Sequence, residues 1–254
     1  MKTIPSKLPE SVKASLKHLR KTARHILYYR TGRFCPVCGE SSPRFFQFGL
    51  VPREDAKCIH CGALERHRLL WLFVSRRTNL FDGKPRKMLH VAPERCLESK
   101  LRQRLANNYL TADLIDPRAM VKMDITNIDY PDQSFDVIYC SHVLEHVQED
   151  RKAMQEFYRI LKDDGWAILL VPIIADKTFE DSSISDPEER LKIFGQKDHV
   201  RRYGPDYVDR LSEAGFRVEM ITVNDLAQND EAIRMWLTPA SGEIYYCTKQ
   251  RIGG

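Results

Sequence analysis

Two C-x-x-C pairs, Cys35-Pro-Val-Cys38-Gly39 and Cys58-Ile-His-Cys61-Gly62, are the residues whose type and spacing most directly imply chemistry. Two residues between paired cysteines let both thiolates face one ion, and the glycine after each pair gives the backbone freedom that closes the turn. Four thiolates complete a tetrahedron and leave no position for water, so Cys35, Cys38, Cys58 and Cys61 are expected to hold a structural zinc ion in a zinc ribbon. With that set complete, His60 and His67 are spectators. A second group, Ser141, His142, Glu145 and His146, follows the apolar run Phe135–Cys140. Titratable side chains at the carboxyl end of a buried parallel strand stand where open α/β sheets bind ligands. A third, Asp198-His199 within Phe194–Tyr203, falls between a strand and a helix, where an inserted loop can cover such a site.

These groups need elements to position them. From Lys87 onward strands alternate with helices: strand Met88–Ala92, helix Leu97–Leu105, strands Tyr109–Asp113 and Val121–Met123, strand Phe135–Cys140, helix Arg151–Leu161 and strand Trp166–Val171. A polar stretch from Asp176 to Asp186 interrupts. Helix Pro205–Ala214, strand Phe216–Ile221 and a possible antiparallel edge strand Ile244–Cys247 complete the order. This alternation implies an α/β fold with a doubly wound parallel sheet. The expected domains are a basic amphipathic helix over 1–34, a zinc ribbon over 35–66, a connecting helix and linker over 67–86, and the α/β domain over 87–250.

The first 34 residues set Lys2, Lys7, Lys13, Lys17, Arg20, Lys21, Arg24, Arg30 and Arg33 against the single acid Glu10. Val12, Leu16, Leu19, Ala23, Ile26 and Leu27 recur at helical spacing. Three uses are open: an apolar stripe packed on the protein with solvated charges, contact with phosphate, or attachment to a membrane surface, the last weakened by the lack of aromatic anchors before Tyr28 and Tyr29. In 254 residues with net charge +5, no apolar run approaches the ~18 residues of a spanning helix. The start, Met1-Lys2-Thr3-Ile4-Pro5-Ser6, lacks a signal-peptide core. A cytosolic protein with reduced cysteines is expected.

The strand ending in Asp113, then Met123-Asp124-Ile125, Pro131-Asp132-Gln133-Ser134-Phe135-Asp136, His142-Val143-Leu144-Glu145-His146 and Glu156–Gly165, in that order, resemble class I S-adenosylmethionine-dependent methyltransferases of the type 11 kind, over roughly Met88 to Cys247. The resemblance implies a Rossmann-like methyltransferase sheet, S-adenosylmethionine as cofactor, Asp113 and Leu114 at the ribose, and Asp124-Ile125 at the adenine. A carboxylate at a strand end can accept both hydroxyls of a ribose diol. Ser141 and His142 would floor the space between cofactor and acceptor. The family's glycine-rich first turn is missing: Ala92, Glu94 and Cys96 stand where the glycines would be. One reading is a remodelled loop in which Glu94 takes the cofactor's α-ammonium and His90 supports it. The other is that cofactor binding has been lost.

Methyl transfer needs the acceptor in line with the sulfonium methyl, and a base if the acceptor is a hydroxyl. His199 with Asp198 beside it, His142, or proximity alone could meet that need, with His146 packing or capping. The polar lid favours a small hydroxylated or sugar-type acceptor. RNA is the alternative, since a zinc ribbon ahead of such a domain also looks like a ribosomal RNA guanine methyltransferase family. A non-catalytic zinc-ribbon adaptor is a third expectation.

Overall fold

Glu10–Leu27 forms the helix (α1) that the apolar spacing predicts, in a computed structural model that describes residues 9–28, 31–49 and 51–249. Lys2, Lys7, Tyr29, Arg30 and the start Met1–Ser6 lie outside the described residues. No residue of α1 is buried, and Leu19, Ile26 and Leu27 stand exposed. What holds the helix is its polar face. Lys21, Arg24 and His25 share one side at helical spacing and meet β1 (Arg33–Cys35) and β2 (Glu40–Ser42). Arg24 pairs with Glu40 at 2.7 Å, His25 Nδ1 lies 3.1 Å from Ser41 Oγ, and Lys21 Nζ donates to the Cys38 carbonyl at 3.2 Å. Packing of the apolar stripe under solvated charges is therefore not what the described residues do.

Strands β3 (Phe46–Phe48) and β4 (Arg53–Lys57) form a second hairpin, and α2 (Glu65–Arg77) follows it. The chain then builds β5 (Met88–Val91), α3 (Arg95–Leu105), β6 (Tyr109–Asp113), β7 (Val121–Lys122), β8 (Phe135–Ser141), α4 (Asp150–Ile160) and β9 (Leu161–Leu170). Next come β10 (Phe179–Glu180), α5 (Pro187–Phe194), β11 (Arg201–Arg202), α6 (Tyr207–Glu213), β12 (Phe216–Ile221), α7 (Val223–Leu226), α8 (Asn229–Met235) and β13 (Ile244–Lys249).

Seven strands pair in the order β7-β6-β5-β8-β9-β13-β12. The first five are parallel, and β13 is antiparallel to both neighbours. This is the expected Rossmann-like sheet, with β8 at its centre. Phe135, Val137, Ile138, Tyr139 and Cys140 are all buried, as a strand covered on both faces requires. Asp136 survives at its start because it accepts from the Lys87 N–H and pairs with Lys162, each at 2.8 Å. One expectation is corrected: Ile244–Lys249 lies inside the sheet. The edge is β12, whose Arg217, Glu219 and Met220 face solvent. Two-sided burial of Ile244, Tyr245 and Cys247 is why β13 takes the inner place.

Contacts divide the chain into two units: residues up to Arg77 together with Val223–Ser241, and Thr78–Thr222 together with the segment from Gly242 onward. The expected span 87–250 assigned Val223–Ser241 to the sheet domain. Instead this insertion between β12 and β13 packs with the cysteine knuckles. Among the described residues no helix is long and apolar enough to cross a membrane.

Candidate functional site

The strand order reverses between β5 and β8, and the register makes the strand ends level there. Val91 is paired with Ala112 on one side and with Cys140 on the other. The residues that follow, Ala92, Asp113 and Ser141, therefore form one row roughly 10 Å long across three strands. A topological switch point is where open α/β sheets bind ligands.

Without glycine the first turn still closes. Ala92 adopts φ +48° and its N–H donates to the Ala112 carbonyl at 2.8 Å, so an alanine takes the left-handed conformation. Behind it, His90 is fully buried, with Nδ1 2.7 Å from the Tyr109 hydroxyl and Nε2 3.4 Å from Glu94 Oε2. Burial pushes the Tyr109 phenol pKa up, so it stays protonated and donates to His90 Nδ1. That leaves Nε2–H to donate to the Glu94 carboxylate, whose Oε1 accepts from the Tyr139 hydroxyl at 3.4 Å. Glu94 thus stands at the start of α3 on a relay from Tyr109 through His90. Neither tyrosine carried a sequence signal beyond its place in an apolar strand. Cys96, in the first turn of α3, is half-buried.

Asp113 and Asp124 share one arrangement. Asp113 Oδ1 accepts from the Ile115 and Asp116 N–H groups at 2.7 and 2.8 Å, fixing the turn after β6. Asp124 Oδ1 accepts from the N–H and the hydroxyl of Thr126, each at 2.8 Å, which holds its carboxyl below the usual range. In both, the hydrogen bonds found among the described residues engage Oδ1 and leave Oδ2 unengaged. Leu114 is exposed, whereas Ile125 is buried and anchors the loop.

At the end of β8, Ser141 is buried and its Oγ has no partner. His142 turns the chain at φ +56° and its Nδ1 lies 3.3 Å from Glu145 Oε1. Glu145 is buried, and its Oε2 has no partner. The short turn Leu144–His146 then brings His146 against the inserted segment. His146 Nδ1 is 3.2 Å from Asp198 Oδ2, and the His146 and His199 rings meet edge to face at 4.6 Å. His146, expected to pack or cap, is part of the cluster. Asp198, 70% exposed, turns to His146 and not to its neighbour in sequence.

His199 is buried and neither ring nitrogen has a partner of hydrogen-bonding geometry. Desolvation, followed by the nearby His146, lowers its pKa and outweighs Glu145, Asp198 and the Phe194 carbonyl, which favour the charged ring.

Arg201 locks this meeting in place. It is buried, donates to the Leu144 carbonyl at 2.8 Å and to that of Gln148 at 2.7 Å, reaches the Val147 carbonyl, and pairs with Glu180 at 2.8 Å. The Val200 N–H adds a bond to the Glu145 carbonyl at 2.9 Å. Arg210 continues the network to Asp150 and Glu180. The sequence marks Arg201 only as part of the polar Phe194–Tyr203 stretch and does not mark Arg210; a buried arginine's role becomes recognisable only once its acceptors are assembled.

In the other unit, Cys35 and Cys61 Sγ are 3.6 Å apart, Cys38 and Cys58 Sγ 3.8 Å, and all four sulfurs lie within 4.8 Å of one another. Zinc–sulfur bonds of about 2.3 Å in a tetrahedron give edges of about 3.8 Å, so the four thiols fit such an ion. Gly39 and Gly62 close their turns at φ +68° and +77°. The His60 N–H points at Cys58 Sγ, and His67 Nδ1 accepts from the Leu64 N–H at 3.0 Å; neither histidine belongs to the four-cysteine group.

Residues 88–169 match the sequence family described as "Methyltransferase domain". Among similar proteins, a sterol 24-C-methyltransferase of Kluyveromyces lactis is 30% identical over 146 residues, 56% of this chain and 38% of that protein. The Bacillus subtilis protein named "Uncharacterized methyltransferase YcgJ" is 34% identical over 113 residues, 44% of this chain and 39% of that protein. Ajmaline N-methyltransferase of Rauvolfia serpentina is 30% identical over 121 residues, 46% and 40% of the two chains. The chain thus spans less than half the length of these relatives. A crystal structure of an S-adenosylmethionine-dependent methyltransferase from Mesorhizobium loti superposes with TM-score 0.47 at 12% identity, covering 70% of this chain and 96% of that one.

Proposed function

We propose, from the methyltransferase domain that residues 88–169 form, that the chain is an S-adenosylmethionine-dependent methyltransferase carrying a structural zinc ion on Cys35, Cys38, Cys58 and Cys61. The observation that carries this reading is the row of strand ends at Ala92, Asp113 and Ser141 with unused acceptors beside it. S-adenosylmethionine supplies an electrophilic methyl group when bound. Asp113 Oδ2 would accept from the ribose hydroxyls beside Leu114, Asp124 Oδ2 would accept from the adenine amine over Ile125, and Glu94, oriented by His90, would take the α-ammonium. Ala92 supplies the close backbone turn, and Ser141 and His142 form the floor.

The acceptor that fits best is a small hydroxylated or sugar-type molecule, methylated on oxygen. Two features support this: the cluster of polar side chains around His142 and His199, and the commitment of Lys21 and Arg24 of α1 to the cysteine knuckle, which reduces the charge left for RNA. His142 is the better placed base, because Glu145 holds its Nδ1 and the ring remains partly open to solvent. His199 is buried and would act by holding the lid.

Calorimetry of zinc-replete protein with S-adenosylhomocysteine tests the reading, with stoichiometric binding expected. Zinc present without any adenosyl ligand binding would leave a zinc-ribbon adaptor instead. Salt-sensitive RNA retention through Lys17 and Arg20 would move the acceptor to RNA.

A further inference from the structure

Glu145, His146 and His199 each offer a ligand atom, and these atoms lie within 4.8 Å of one another. Two of the three residues are buried. Burying polar atoms without partners is costly, and native proteins rarely tolerate it. Two residues of the cluster carry such atoms: Glu145 at Oε2, and His199, whose ring nitrogens have no partner of hydrogen-bonding geometry although the Phe194 carbonyl acts on the ring. Ser141 Oγ, another unpartnered buried atom, ends β8, the strand that leads into Glu145 and His146. The cluster is also held in place, because Arg201 clamps the carbonyls on both sides of Glu145 and His146 and the Val200 N–H binds the Glu145 carbonyl.

We infer that Glu145, His146 and His199 form a binding site for a divalent transition-metal cation, distinct from the four-cysteine site. Two imidazoles and one carboxylate suit manganese, iron, cobalt or zinc, and three protein ligands leave positions open for an exchangeable molecule. Asp198 on His146 Nδ1 has the role of the outer carboxylate that fixes a ligating histidine's tautomer and orientation. His142 on Glu145 Oε1 similarly fixes the carboxylate and leaves Oε2 to the ion. If the methyl-transfer reading holds, on which this last step rests, the open positions would take oxygen atoms of a hydroxylated acceptor beside His142. A vicinal diol is the acceptor chemistry that best uses two such positions.

The test titrates the zinc-replete full chain with Mn2+, following free Mn2+ by electron paramagnetic resonance and heat by calorimetry. Mn2+ prefers oxygen and nitrogen donors, so it does not compete for the thiolates. One ion per chain is expected. Loss of one ligand in His146→Ala or Glu145→Gln should weaken binding by roughly tenfold or more. His146 is partly exposed, so its variant should fold, which a thermal melt checks. Absence of Mn2+ binding, or equal binding by wild type and folded His146→Ala, would overturn the site. A parallel S-adenosylhomocysteine titration keeps the two ideas apart. Donor binding without Mn2+ binding rejects only the cation site, whereas Mn2+ binding without donor binding supports the site and rejects methyl transfer.

Discussion

Ala92 holds a left-handed conformation that costs an ordinary residue about 1–2 kcal/mol, and it does so where the chain turns at the end of β5. Replacing it with glycine removes that cost but adds unfolded-chain entropy of about 0.5–1 kcal/mol, so Ala92→Gly should change stability by no more than about 1 kcal/mol. Ala92→Val puts a branched Cβ at positive φ and should destabilise by about 2 kcal/mol. Urea melts of both variants decide this; a stable valine variant would mean the turn is not strained. Asp113 allows a cleaner separation of fold from binding. Asp113→Asn keeps an oxygen for the Ile115 and Asp116 N–H groups yet removes the charge. S-adenosylhomocysteine affinity should fall about 10- to 100-fold, the loss of one charge-assisted pair, with the melt unchanged within about 0.5 kcal/mol. An equally tight Asn variant would remove Asp113 from the ribose. At this scale the place of Asp113 at the end of β6 was legible from the strand pattern, whereas the ribose and adenine roles of Asp113 and Asp124 rest on the family resemblance. The partner of Asp198 was not, since which of two histidines a loop acid meets depends on how the loop folds back.

The inserted segment between β9 and α6 is an element held by charge. Glu180 on β10 pairs with Arg210 at 2.7 Å and Arg201 at 2.8 Å, and the Arg210 guanidinium first, then that of Arg201, lowers its pKa from 4.5 to about 2. The folded state binds the proton more weakly than the unfolded one, so this contribution is fully present above about pH 4.5 and fades as the pH falls towards 2. The carboxylate is 42% exposed, so screening limits its worth to about 1 kcal/mol. Glu180→Gln should therefore be less stable than wild type by about that amount at neutral pH, and the difference should shrink as the pH falls below about 4.5. Denaturant midpoints at several pH values measure it; a constant difference would show that the carboxylate's charge is not what matters. The strands of the sheet were readable from uniform apolar runs, but this segment was not, because β10 and β11 are only two residues each and are held by arginines, not by an apolar pattern. The inner position of β13 was obscured similarly, since a six-residue strand with a closing polar end reads like an edge.

At the level of the whole chain, one insertion changes the domain division. Val223–Ser241 leaves the sheet between two paired strands and joins the unit that carries the four cysteines. No periodicity announces this, because α7 and α8 are four and seven residues long and mostly polar. The reason for it lies in Arg68. This fully buried guanidinium donates to the carbonyls of Ala56 and Ala63, which flank Cys58 and Cys61, and to those of Met235 and Trp236 in the insertion. Phe45 stacks on it, Arg33 covers the Trp236 ring at 3.9 Å, and the Trp236 indole N–H donates to the Glu54 carbonyl at 3.0 Å. One cation thus ties the second knuckle to a segment more than 160 residues later in the chain, as the Arg68 to Met235 spacing records. Arg68→Met keeps volume but takes a donor from four carbonyls, of which that of Ala63 keeps a second one, the Cys58 N–H at 2.9 Å; at about 1–3 kcal/mol for each buried group left unpaired, a loss of about 3 kcal/mol is expected in this unit. Because a thiolate site and its fold stabilise each other, the zinc-loaded variant should also release the ion proposed for the four cysteines faster to a chelator with a chromophore. S-adenosylhomocysteine binding in the other unit should persist in the same sample, since none of its proposed contacts involves Arg68. A variant that keeps both its melt and its metal would mean that water replaces the guanidinium, and that the insertion is held by Trp236 alone.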